Sequence, residues 1–115
     1  YFSGDGGYGS HFKDIGEKYG PFDLSLIDSG QYNTAWKHSH MFPKEAVMAA
    51  QDLGSKYYMP IHWGAFKLST HHWTDPVEGA ILYAKEYDQK IITPQLGEVV
   101  LLDKPNQDIF KWWNQ

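Results

Sequence analysis

Polar and apolar positions mostly alternate over residues 22–28, FDLSLID, which predicts a half-buried strand. The period then lengthens. In PKEAVMAAQDLG, residues 43–54, Ala46, Ala49, Ala50 and Leu53 recur at helical spacing, with Pro43 in the first turn and Gly54 as the stop. Two more helices follow from the same spacing. SHFKDIGEKYG, residues 10–20, has Ser10 as N-cap, Phe12, Ile15 and Tyr19 on one face, and Gly20-Pro21 as terminator. DPVEGAILYAKEYD, residues 75–88, has Asp75 capping, Pro76 and Glu78 in the first turn, and Val77, Ile81 and Ala84 on one face. The opening YFSG, then KYYMPIH at 56–62, KIIT at 90–93 and GEVVLL at 97–102, read as strands, the last two split by a turn at Pro94–Gly97. QYNTAWKHSHMF and WGAFKLSTHHWT carry no period and read as loops, and the tail DIFKWWNQ reads as a short helix or a drape over the core.

The predicted order, β-α-β-α-β-α-β-β, is that of an α/β fold with helices on at least one face of one sheet. Chemistry in such folds collects where loops meet the carboxyl ends of strands. Gly4-Asp5, Asp28-Ser29-Gly30, His62 and the loop carrying His38 and His40 all fall there.

A chain of 115 residues suits one domain. Its net charge of −4 and pI near 5.8 argue against a nucleic-acid partner, which would want a basic stripe. No apolar run approaches the roughly 18 residues of a membrane span. The absence of cysteine excludes thiolate metal sites, so any metal must be held by histidine and carboxylate. It also fits a reducing compartment, and a cytoplasmic location is the expectation. The mid-strand character of Tyr1 is compatible with a preceding targeting segment.

Several residues invite two readings. Asp5, inside SGDGGYG, either caps a turn or ligates a metal that the flanking glycines let the backbone approach. His62 either fills the core or ends its strand at a site, with Trp63-Gly64 turning the chain away. His38 and His40 share a face if their segment is extended, but zinc wants at least three protein ligands and nothing adjacent supplies the third. His71 and His72 are neighbours and point different ways in an extended chain, so at most one joins any one site.

Four stretches in order, YFSGDGGY, YGPFDLSLI, HMFPKEAVMAAQDLGSKYYMPIHWGAFKL and HHWTDPVE, resemble the C-terminal half of the metallo-β-lactamase-fold hydrolases. The nearest branch holds N-acyl-phosphatidylethanolamine phospholipase D, the RomA-like proteins and, further off, the ascorbate-phosphate lactonases. The resemblance implies half of an αββα sandwich, a single sheet with helices on one face, over residues 1–115. It implies Asp5 as a carboxylate bridging two zinc ions and His62 as the last metal-ligating histidine. It places His40 on the substrate side, and His71, Trp63 and Asp28 around the substrate, with Asp28-Ser29-Gly30 at the rim. The family's threonine after the aspartate is here Gly6, and Phe42 stands at the N-cap of the proline-led helix, which weakens the cap. The family's His-x-His-x-Asp-His motif is not in these residues, and His38-Ser39-His40 is followed by Met41-Phe42, where Asp-His would stand.

The implied parent is a phosphodiesterase of phospholipase D type, or a lactone or ester hydrolase, using a hydroxide shared by two zinc ions on a small-molecule or lipid substrate. A membrane surface is a compatible partner for it. The chain alone, with two of the family's ligands, is expected to bind zinc weakly or not at all and to be inactive. It is also expected to form a homodimer through the bare sheet face. The alternative from another class is a non-catalytic module whose tryptophans and tyrosines form a carbohydrate-binding surface.

Overall fold

Residues 1–36, 38–103 and 111–114 are described by the computed structural model. Two parallel strands, β1 (Phe22–Asp28) and β2 (Ser55–Ile61), form the centre, with Leu24 opposite Tyr57, Leu26 opposite Met59 and Asp28 opposite Ile61. Single parallel bridges widen the sheet on both sides, Phe2 to Leu26 and Ile91 to Tyr58. The order across the sheet is therefore residues 1–3, β1, β2 and residues 90–92, all running one way. Parallel neighbours need long crossovers, and each crossover here is a helix. The helices are α1 (His11–Tyr19), α2 (Pro43–Leu53) and α3 (Asp75–Glu86), and α2 packs on both central strands between the other two.

One face of the sheet is covered. Ile27, Tyr58 and Ile91 meet Phe12 of α1, Ala46, Ala49, Ala50 and Leu53 of α2, and Ala80 and Ala84 of α3 in a single core. The alanines let α2 lie close against the strands, and Ala46, Ala49, Ala50 and Leu53 are all fully buried, as their spacing predicts. Gly54 ends α2 in the left-handed conformation (φ 70°), its N–H bonding to Ala50 and Gln51. Alternation sends Leu24, Leu26, Met59 and Ile61 to the opposite face, where they remain half-buried and Phe2 is 64% exposed.

Five local expectations change. Tyr19, at the last turn of α1, is exposed rather than inward. Thr74, not Asp75, stands at the N-cap of α3, and the Asp75 carboxylate accepts the His72 N–H at 2.9 Å. At α2 the Phe42 side chain has no acceptor, but Glu45 Oε1 takes the Phe42 N–H at 3.0 Å, so half of a capping box is kept. Residues 90–93 contribute one bridge residue only. Residues 97–102 are not a strand: none of the described residues forms a β-bridge with them, and Leu96, Val99 and Leu101 stand exposed. An apolar run forms a strand only where a neighbour accepts its hydrogen bonds. Of the tail, residues 108–110 and 115 lie outside the described residues, while Trp112–Asn114 form a 3₁₀ turn. Trp113 is buried, donating to Glu78, whose carboxyl is held below its usual range by bonds from Lys111 and that indole.

Candidate metal centre

The parallel strands bring their carboxyl ends to one edge. Past the first strand segment the chain turns at Gly4 (φ 62°) and presents Asp5. Asp28 is the last residue of β1, and His62 follows the last residue of β2. His40 comes from the loop before α2. One ligand atom from each of Asp5, Asp28, His40 and His62 lies within 4.8 Å of all the others.

Asp28 is at the centre. Its side chain is fully buried, whereas Asp5 is 73% exposed and His40 and His62 are 20% and 29% exposed. Oδ2 accepts from His40 Nδ1 at 2.9 Å and from the Gly6 N–H at 3.3 Å. Oδ1 lies 3.2 Å from His62 Nδ1 and accepts the Gly30 N–H at 3.5 Å. Ser3 Oγ accepts the Asp28 N–H at 2.9 Å, tying the end of β1 to the first strand segment. The rim position expected for Asp28 is thus replaced by a place on the floor of the site.

His62 has φ 67°, a left-handed backbone that non-glycine residues seldom adopt and that concentrates at functional sites. Its Nδ1 is buried, 3.0 Å from Asp5 Oδ1 and 3.2 Å from Asp28 Oδ1, yet aligned for a hydrogen bond with neither. Gly30 makes this approach possible. A Cβ there would stand 1.9 Å from the His62 carbonyl oxygen.

Two carboxylates and two imidazoles thus face one another, and among the described residues no lysine pairs with either carboxylate. Buried negative charge asks for a cation. The orphaned His62 Nδ1 beside two carboxylates fits a divalent ion that takes nitrogen and oxygen donors.

A cavity of about 690 Å³ opens over this cluster, lined by Asp5, His40 and His62 and by Trp36, Trp63, Phe66 and Leu68. The volume is in the range of small-molecule sites, roughly 300–1,000 Å³. Phe66 and Leu68 are 78% and 72% exposed, so the mouth is apolar and the floor ionic.

Of the other expected residues, Trp63 lines the cavity and stacks on Trp112 at 5.4 Å, with Trp113 edge-on at 5.5 Å. Three of the five tryptophans therefore pack on each other and do not form an exposed row. His71 is absent from the cavity lining. Its Nε2 accepts the Gln31 N–H at 2.9 Å, its Nδ1–H donates to the His72 carbonyl at 2.8 Å, and its ring stacks on Tyr32 at 4.4 Å. Burial, and then the Asp75 charge, push the Tyr32 phenol up to about 12, so it packs there as a neutral ring. His38 is exposed in a turn, so the extended segment that would set it on one face with His40 does not form.

Gln31 is a member of the site that sequence reasoning passed over. It is nearly buried, with φ 59°. Its Oε1 accepts from the N–H groups of Leu68 and Ser69 at 2.7 and 3.1 Å, and its Nε2 donates to the Phe66 carbonyl at 2.6 Å. It holds the 66–69 loop over the strand ends. No local pattern in the sequence announces a glutamine used this way.

Residues 1–63 match the model of the beta-lactamase superfamily domain. The chain belongs to the metallo-β-lactamase superfamily. The outer membrane protein RomA of Klebsiella pneumoniae is 43% identical over 86 residues, covering 75% of this chain and 65% of that protein. N-acyl-phosphatidylethanolamine-hydrolyzing phospholipase D 1 of Caenorhabditis elegans is 36% identical over 107 residues, covering 86% and 30%. The fold also matches Igni18, a metallo hydrolase of Ignicoccus hospitalis, with a TM-score of 0.57 at 22% identity, over 80% of this chain and 35% of that one. The chain spans less than a third of the length of most of the curated relatives it matches, 31% of the first of them and 23% of another. In this superfamily chain the helices cover one face of the sheet, as the resemblance implies.

Proposed function

We propose that this chain is the C-terminal half of a zinc-dependent hydrolase domain that cleaves a phosphodiester, or a related ester or lactone, of a lipid-like substrate. The observation that carries the reading is the set Asp5, Asp28, His40 and His62, gathered under an apolar-mouthed cavity with His62 Nδ1 left without a partner. The phospholipase D relative, named for hydrolysing a phospholipid, supports the substrate class. Asp5 and His62 would hold zinc, with further ligands supplied from outside these residues. Bound zinc supplies Lewis acidity toward a phosphoryl or carbonyl oxygen and lowers the pKa of an adjacent water. Trp36, Phe66 and Leu68 give an acyl chain an apolar wall, and their exposure suits docking at a membrane surface. His40 lines the cavity beside the ligands and acts on the substrate, steadying developing charge or passing a proton to the leaving group.

The test is His40→Ala in the full-length protein. kcat on a phosphodiester lipid falls by about 10²–10⁴, the usual contribution of a positioned acid or base, and zinc content by elemental analysis stays at the wild-type value. A variant that purifies without zinc makes His40 a ligand and overturns its assigned role.

Taken alone, the 115 residues are proposed to be inactive and to pair through the sheet face that the helices leave bare. Leu24, Leu26, Met59 and Ile61, with Phe2 at the edge, offer an apolar surface that a second copy covers about a two-fold axis. Light scattering of this chain across a dilution series returns twice the monomer mass at micromolar concentration. A monomer there contradicts the pairing.

A further inference from the structure

A side chain that acts on a substrate must be aimed, and the contacts of His40 show what aims it. Asp28 is the only fully buried member of the cluster, and it spans both histidines, with Oδ2 on His40 Nδ1 at 2.9 Å and Oδ1 3.2 Å from His62 Nδ1. Among the described residues its carboxylate also accepts from two backbone N–H groups, those of Gly6 and Gly30. A carboxylate only accepts, so the His40–Asp28 bond requires the proton on His40 Nδ1. Nε2, the other nitrogen, is then left for the cavity that His40 lines. His40 stands in a bend after the 3₁₀ turn Thr34–Trp36, its N–H bonded to the Trp36 carbonyl at 2.9 Å, and the bond to Asp28 joins its ring to the rigid end of a central strand.

We propose that Asp28 is a positioning residue that commits His40 Nδ1–H to its own carboxylate, so that Nε2 is the atom offered to the substrate. This rests on the reading of His40 as a substrate-side group. A neutral amide would hold the loop equally well if Asp28 served folding alone. An amide can turn its NH₂ toward Nδ1, and the imidazole proton would then move to Nε2. The carboxylate excludes that arrangement.

The experiment uses the full-length protein labelled with ¹⁵N-histidine, and long-range ¹H–¹⁵N correlation spectra assign the His40 tautomer. Wild-type protein shows the proton on Nδ1. Asp28→Asn shifts the population toward Nε2–H, and kcat on the phosphodiester lipid falls by about 10–100-fold, the range typical of a lost outer-shell partner, with KM unchanged within about twofold. An Nε2–H tautomer in the wild type overturns the proposal, as does an unaltered tautomer in Asp28→Asn. The wild-type spectrum decides the point even if the variant does not fold. It also decides it if the protein proves inactive on phosphodiesters, a result that would refute the proposed function and leave the role of Asp28 standing or falling on the tautomer.

Discussion

His62→Gly in the full-length protein is expected to lose zinc and about a thousandfold or more in hydrolysis while the fold stands. Glycine is the informative substitution because the position has φ 67°, which glycine populates freely and alanine does not. The imidazole contributes little to folding through hydrogen bonds, since Nδ1 makes none despite its burial. On the proposed reading, what it supplies is a donor for the ion. Loss of Lewis-acid stabilisation worth several kcal/mol corresponds, at roughly 4 kcal/mol, to about a thousandfold in rate. Elemental analysis, steady-state kinetics and the urea midpoint read the three expectations separately. Retained stoichiometric zinc and activity would remove His62 from the site.

The second large effect is expected from Gly30→Ala. The new methyl would lie 1.9 Å from the His62 carbonyl oxygen and 2.7 Å from its carbonyl carbon, both backbone atoms that cannot step aside. The ends of β1 and β2 must separate. Overpacking of this kind costs about 3 kcal/mol at the upper end of its common range, and here it also moves His62 away from Asp5 and Asp28. Gly6→Ala is the matched control, because nothing lies within 4 Å of a Cβ at Gly6. Urea denaturation should show a marked fall in stability for the first and almost none for the second. Equal stabilities would mean that the strand ends are not held this close.

The helices are legible in the sequence because their burial follows a local period. Ala46, Ala49, Ala50 and Leu53 need only the α2 spacing to be placed inward, and all four are fully buried. β1 and β2 are legible for the same reason, as short apolar runs bounded by turns. What local pattern cannot carry is the distance between two strand ends. Asp28 reads as a rim residue because nothing near it in sequence shows that Gly30 lets the His62 backbone close over it. Asp5, His40 and His62 are legible through resemblance to a family motif, and the structure brings all three together with Asp28. Residues 97–102 fail for the opposite reason. Their apolar, β-branched run is strand-like, but pairing depends on a neighbour that local sequence does not specify.

The central claim is that Asp5 and His62 hold a metal ion at the carboxyl edge of this sheet. Anomalous diffraction at the zinc absorption edge, from crystals of the full-length protein grown with zinc, tests it most directly. The account predicts a peak within about 2.0–2.2 Å of an Asp5 carboxylate oxygen and a His62 ring nitrogen, the usual zinc–oxygen and zinc–nitrogen distances, with His40 bonded to Asp28. Zinc bound elsewhere, with His62 bonded only to the carboxylates, would contradict it.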